Sequence, residues 1–206
     1  MVIKVVEYYI LAFFFTTLLG ATQSEFGILP SVVLAQWGPA IAGITMILLY
    51  RKEKISIRFE FKRDEIKDYL LSIGFPLLIT GTAIAIMVVI QEAFSFGQLS
   101  LVPSIVTIGS ALFGALGEEI GWRGYLQPTL DKKMNVFWSS FITAALWALW
   151  HIGQLRFPIV YVIGFFLSVF GYSFFISYLI KGTKFNLVIS ILFHTVVNLV
   201  STAVPY

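Results

Sequence analysis

Cysteine is absent from the 206 residues, which excludes disulfides, thiolate metal ligands and a cysteine nucleophile. Charge is scarce too: 12% of the residues are Asp, Glu, Lys or Arg, against about 25% in soluble domains. Histidine occurs only at His151 and His194, and no His-Glu-x-x-His zinc motif is present. The chain carries no internal repeat and no low-complexity tract. What fills it instead is apolar, with 58% hydrophobic residues, a composition of membrane proteins. The net charge of +3 comes from loop lysines and arginines and points to no nucleic acid partner. The lipid bilayer is the expected environment.

About 20 apolar residues cross a bilayer core. Seven segments meet that need: Val5–Ala21, Ile28–Tyr50, Tyr69–Ile90, Leu101–Leu126, Val136–Gln154, Phe157–Ile180 and Phe185–Val204. The expected fold is all-α, a polytopic membrane helix bundle of about seven transmembrane helices, with residues 1–206 forming a single integral-membrane domain. Within it, 1–100 supply three accessory helices for packing and substrate access, and a basic cytoplasmic linker, 51–68. That linker holds seven Lys/Arg and five Asp/Glu. Its Ile55, Ile57, Phe59, Phe61 alternation fits a short strand or an interfacial strip, and no chemistry is assigned to it. Lys4 is a thin start for a signal peptide and Glu7 interrupts it, so an uncleaved first helix is expected. An inside N-terminus places Arg51–Lys67, Lys132, Lys133, Lys181 and Lys184 on the cytoplasmic side, as the positive-inside rule asks. The expectation is a multi-pass integral plasma membrane protein with a cytoplasmic N-terminus.

The fourth segment ends in Gly117-Glu118-Glu119-Ile120-Gly121-Trp122-Arg123-Gly124-Tyr125. An ionisable group in a bilayer core costs roughly 2.5–3.5 kcal/mol, so three together need a reason. Four-residue spacing, acid first, predicts an ion pair between Glu119 and Arg123. Glu118 lies about 100° round the helix and faces a neighbour instead. A carboxylate left without a cation and withdrawn from water is suited to act as a general base. Gly109, Gly114, Gly117, Gly121 and Gly124 let backbones approach and make this helix central. Pro128 is expected to end it.

Both histidines lie in apolar helical runs, Trp147-x-x-x-His151 and His194-x-x-x-Asn198. Trp147 lies a turn below His151, where it can wall that ring off from lipid, and His194 and Asn198 share one helix face. Glu118, His151, His194 and Asn198 thus gather the polar chemistry of three helices, with Gln36, Gln91 and Glu92 as the main extras. If the fourth helix ends at Pro128, Glu118 lies roughly 15 Å from its inner end, and His151 about 20 Å or more from the inner end of its own. The mismatch predicts an interfacial piece around Met134–Trp138.

Glu118-Glu119-x-x-x-Arg123, Trp147-x-x-x-His151 and His194-x-x-x-Asn198, in that order, resemble the CAAX protease and bacteriocin-processing (CPBP, or Abi) family of intramembrane endopeptidases. The resemblance covers a core of about 101–206, with Trp147 where the family usually has phenylalanine. It implies hydrolysis of peptide bonds in membrane-associated or lipidated protein or peptide substrates, by a CPBP-type glutamic or metallo endopeptidase. Glu118 would activate a water, with His151 holding it or sharing its proton. His194 and Asn198 would stabilise the oxyanion, and Glu119 and Arg123 would keep the geometry. No cofactor is required on this reading. Two histidines and a carboxylate also make a zinc set, so Glu118, His151 and His194 are the alternative ligands of a metalloprotease. A non-proteolytic bacteriocin-immunity or transport protein is the remaining alternative, although transport sits poorly with the missing repeat.

Overall fold

The computed structural model describes residues 1–27, 32–52, 55, 58–89 and 104–203. Each of the seven apolar segments contains a helix, and the result is a helical membrane bundle. Helix α1 (Val2–Phe26) ends in a left-handed cap at Gly27, φ 59°. A 3₁₀ turn, Leu34–Trp37, leads into α2 (Gly38–Leu49), whose Pro39 sits in the first turn, where the missing N–H costs nothing. Helix α3 (Ile66–Val89) carries Pro76 inside it. Helix α4 (Ile105–Gly121) starts where Ser104 Oγ accepts from the Thr107 N–H. Then follow a π turn (Trp122–Leu126), α5 (Gln127–Asp131) and α6 (Val136–Trp150), the last capped by Asn135. A second 3₁₀ turn, Ile152–Arg156, joins α6 to α7 (Ile159–Gly182), and α8 (Leu187–Ala203) closes the described chain. Gln91 and Glu92 fall outside the described residues.

Among the described residues, three stretches are long and apolar enough to cross a membrane alone, Val2–Phe26, Arg63–Ile86 and Ile159–Gly182. The helices at Leu34–Leu49, Val136–Trp150 and Leu187–Ser201 are shorter, because 3₁₀ turns and caps take residues that apolar counting assigns to helix. Helix α4 is the middle of the bundle: it packs on α2 and α8, with α1 behind α2, α3 against α8, and α6 paired with α7. The glycines explain that position. A methyl at Gly121 would collide with the Pro39 backbone, and one at Gly117 would lie 2.6 Å from the Gln36 carbonyl oxygen. Helical glycine costs roughly 0.5–1 kcal/mol relative to alanine, and here contact with the chain before α2 returns it. Tyr8, Met46, Trp122, Tyr125, Leu126 and Trp147 fill the main apolar core.

Two helix boundaries correct the sequence reading. Pro128 does not stop the helix: the π turn shifts the hydrogen-bond register just before it, the Gln127 N–H reaching the Trp122 carbonyl, and the rod continues to Asp131. No separate interfacial piece occupies Met134–Trp138; α6 begins at Val136 and runs unbroken to Trp150. The two corrections are linked. Extending the rod to Asp131 raises Glu118 to roughly 20 Å from its inner end, against roughly 22 Å for His151 above the start of α6. That removes most of the depth mismatch.

The polar linker forms no strand among its described residues. It makes one isolated parallel bridge, Arg58 to Asn186. Arg58 Nη1 donates to Glu65 Oε1 at 3.1 Å and to the Thr183 carbonyl at 2.8 Å, and Asn186 Nδ2 donates to Glu65 Oε2 at 2.6 Å. These bonds fasten the linker to the α7–α8 turn, where Lys184 and Phe185 adopt positive φ. Arg58, and then Lys62, hold the Glu60 carboxyl below its ordinary range.

Candidate active site

The adjacent glutamates have different surroundings. Glu119 is fully buried, and its Oε1 accepts from Arg123 Nη1 at 2.9 Å, the ion pair that the spacing predicts. The same oxygen lies 2.8 Å from His194 Nδ1. Arg123 is also fully buried, with its guanidinium 4.3 Å from the centre of the Trp147 ring, a cation–π contact. Glu118 takes neutral donors instead. Its Oε1 accepts from Gln36 Nε2 at 2.8 Å and its Oε2 from Trp147 Nε1 at 2.7 Å.

His151 is not inside a helix. It caps α6 at φ −81°, ψ 39°, and the chain turns there into the 3₁₀ segment. Its Nδ1 lies 2.9 Å from the Trp147 carbonyl. A carbonyl only accepts, so Nδ1 carries the proton and Nε2 is the free ring nitrogen. The Glu119 carboxylate, paired with Arg123, gives His194 the same arrangement: Nδ1–H donates and Nε2 is left over. Among the described residues there is no direct hydrogen bond between Glu118 and His151. Trp147 connects them, indole N–H to the acid and backbone carbonyl to the imidazole, with its ring centre 6.0 Å from that of His151 and 5.3 Å from that of His194.

Trp147, His151, His194 and Asn198 line one cavity of about 450 Å³ between α6, α7 and α8. A second, of about 360 Å³, lies between the turn before α2, α4 and α8 and is lined by Gln36, Thr107, Ser110 and Asn198 among others. Asn198 and Ser201 belong to both walls. Glu118 is 1% exposed and lines neither, whereas its partners Trp147 and Gln36 line one each. Carboxylate oxygens offer about four acceptor sites, so two donors leave Glu118 capacity to accept from a water.

The zinc alternative needs Glu118, His151 and His194 turned to one centre. Among the described residues no group of three His, Cys, Asp or Glu side chains is arranged to hold a metal ion. Both Nδ1–H groups are held, by Glu119 and by a carbonyl, so each histidine would offer a metal its Nε2. As placed, the three side chains are not gathered on one centre.

Two residues belong to the site that sequence reasoning leaves outside it. Sequence alone makes Gln36 an extra polar group and Trp147 a shield for His151. The available signal for Gln36 is an intramembrane amide on the second apolar segment. For Trp147 it is an indole N–H at a position usually held by phenylalanine.

Known proteins resemble this chain. A family model described as "Type II CAAX prenyl endopeptidase Rce1-like" matches residues 98–200, half of the chain. The chain belongs to this family. It is similar to "CAAX prenyl protease 2" of Methanococcus maripaludis, 28% identical over 125 residues, covering 53% of this chain and 44% of that protein. It is also similar to "Lysostaphin resistance protein A" of Staphylococcus haemolyticus, 28% identical over 163 residues, 76% of this chain and 44% of the relative. The protein of that name from Staphylococcus epidermidis is 30% identical over 152 residues, 71% of this chain and 39% of the relative. The chain therefore spans about two fifths of the length of these relatives. The family match takes in Glu118, Glu119, Arg123, Trp147, His151, His194 and Asn198, and leaves Gln36 outside.

Proposed function

We propose that this protein is an intramembrane endopeptidase that hydrolyses peptide bonds of membrane-associated or lipidated proteins or peptides through a water activated by Glu118. One observation carries the reading: of two neighbouring buried glutamates, Glu119 is neutralised by a cation and Glu118 is held only by neutral N–H donors. The second is the one available to accept a proton from water. His151, with Nε2 free, holds that water or takes a share of its proton. His194, with its Nδ1–H on Glu119 and Nε2 protonated as well, and Asn198, one turn along α8, donate to the oxyanion as the carbonyl becomes tetrahedral. The cavity that both histidines line, bounded by Phe165, Val169 and Val197, suits an apolar chain segment beside the scissile bond. The names of the family and of the Methanococcus relative support a prenylated substrate. Residence in the plasma membrane with the N-terminus in the cytoplasm belongs to the same proposal and is supported by the placement of the basic loops.

The hydrolysis is proposed to need no metal, with the zinc-dependent route over the same residues as the alternative. The test is purified full-length protein in liposomes, given an internally quenched farnesylated peptide and an unmodified apolar one. Glu118→Gln is expected to lower cleavage by about 100-fold or more, the range of general-base catalysis, without changing thermal stability. Activity that survives exhaustive chelation supports the metal-free route; loss restored by zinc alone overturns it. The name of the staphylococcal relatives speaks of resistance and supports a non-proteolytic immunity protein as the second reading; a Glu118→Gln chain that still confers resistance in cells would establish it against the peptidase.

A further inference from the structure

We infer that Gln36 is a positioning residue of this hydrolase: its side-chain amide fixes the rotation of the Glu118 carboxylate that takes the proton from water. The inference rests on the peptidase reading. The last torsion of a glutamate is soft, so a base at the tip of one needs its oxygens held from outside. Glu118 is held at both, Oε2 by Trp147 from α6 and Oε1 by Gln36 from the turn before α2. The donors come from separate elements, and together they leave one orientation.

Gln36 is itself confined. A Cβ at Gly114 would collide with its Oε1 and stand 2.6 Å from its Cδ and 2.8 Å from its Nε2. The Gln36 backbone lies against Gly117, and next to it Trp37 Nε1 donates to the Phe113 carbonyl at 3.1 Å. The α4 glycines four residues and one residue before Glu118 therefore make the bed for the group that orients it. The other polar groups that influence Glu118 are Tyr8 from α1, Arg123 from its own rod and His194 from α8. Arg123 and His194 are bonded to Glu119. An arginine in place of Gln36 would orient Glu118 but neutralise it; an amide orients it and leaves its charge available. Gln36 also lines the smaller cavity beside Asn198, so it stands between that space and the buried acid.

The test uses the full-length protein in liposomes, with the two quenched peptides as probes and kcat and KM measured separately. Gln36→Met matches the shape and removes the donor. Gln36→Glu keeps a polar group of the same shape but turns an acceptor on Glu118. Gly114→Ala pushes the amide aside with no polar group changed. Each is expected to lower kcat by about 10- to 100-fold, as small misplacements of a reacting group do, with KM within about twofold and Gln36→Glu the most affected. Melting temperatures of the two Gln36 variants within a few degrees of wild type mark the loss as chemical. Unchanged kcat in both Gln36 variants overturns the inference while the Glu118→Gln loss keeps the peptidase. A wild type that cleaves neither peptide, or a Glu118→Gln chain as fast as wild type, overturns both.

Discussion

The Glu119–Arg123 pair gives the sharpest stability prediction, because both members are fully buried. Removing one partner of a buried pair leaves the other charge uncompensated and costs about 3–5 kcal/mol. Arg123→Met strands the Glu119 carboxylate and removes the guanidinium from the Trp147 ring; Glu119→Gln strands the guanidinium. Each is therefore expected to lose about 3–5 kcal/mol, a large part of a total stability of about 5–15 kcal/mol. The double variant strands nothing. The glutamine that replaces Glu119 still offers an oxygen to His194 Nδ1, and the methionine that replaces Arg123 fills most of the arginine's volume. It is expected to lose no more than the weaker single variant, whereas independent sites would together lose roughly 6–10 kcal/mol. The assay is equilibrium unfolding in mixed dodecylmaltoside and SDS micelles, followed by the fluorescence of the five tryptophans. Losses in the double variant that equal the sum of the singles would refute the claim that the two charges are kept buried by each other.

Trp147→Phe retains the ring between the two histidines but removes the N–H that Glu118 accepts; kcat for the quenched peptides should fall by about 10-fold or more, as for other losses of orientation, with little change in melting temperature. Full activity in that variant would remove the indole from the site. Gly121→Ala drives a methyl into Pro39, whereas Gly109 has open space around the same position. The first should cost about 1–3 kcal/mol as overpacking, and Gly109→Ala should be neutral or slightly stabilising in the same micellar unfolding assay. Equal effects at the two glycines would contradict the close approach of α4 to the start of α2.

The helical bundle was legible because apolar runs and basic loops are one-dimensional signals that the bilayer reads in sequence order. The Glu119–Arg123 bond was legible for a related reason, since both ends sit on one helix and 3.6 residues per turn decide the register. Boundaries were less so. Pro128 reads as a stop, and only the π turn before it, a hydrogen-bond shift with no sequence marker of its own, lets the helix pass. His151 reads as helical by its apolar neighbours, yet its position at the end of α6 is what frees the backbone to turn and leaves its Nδ1 on the Trp147 carbonyl.

Contacts between distant segments were the least legible, and Gln36 shows why. It stands 82 residues before Glu118, and nothing in the motif around either residue names the other. The link runs through shape: glycines at 114, 117 and 121 remove the side chains that would keep the Gln36–Pro39 stretch away. Read alone, those glycines are a packing stripe, and the amide is one intramembrane polar residue among several. Placed together, they give one of two adjacent acids, about 100° apart round the helix, a partner that the other lacks. Glu119 is given the cation, while Glu118 is given neutral N–H dipoles. A pair of neighbouring carboxylates buried in a membrane bundle is better tolerated when their partners differ in this way, and that difference is the ground for proposing one of them as the base.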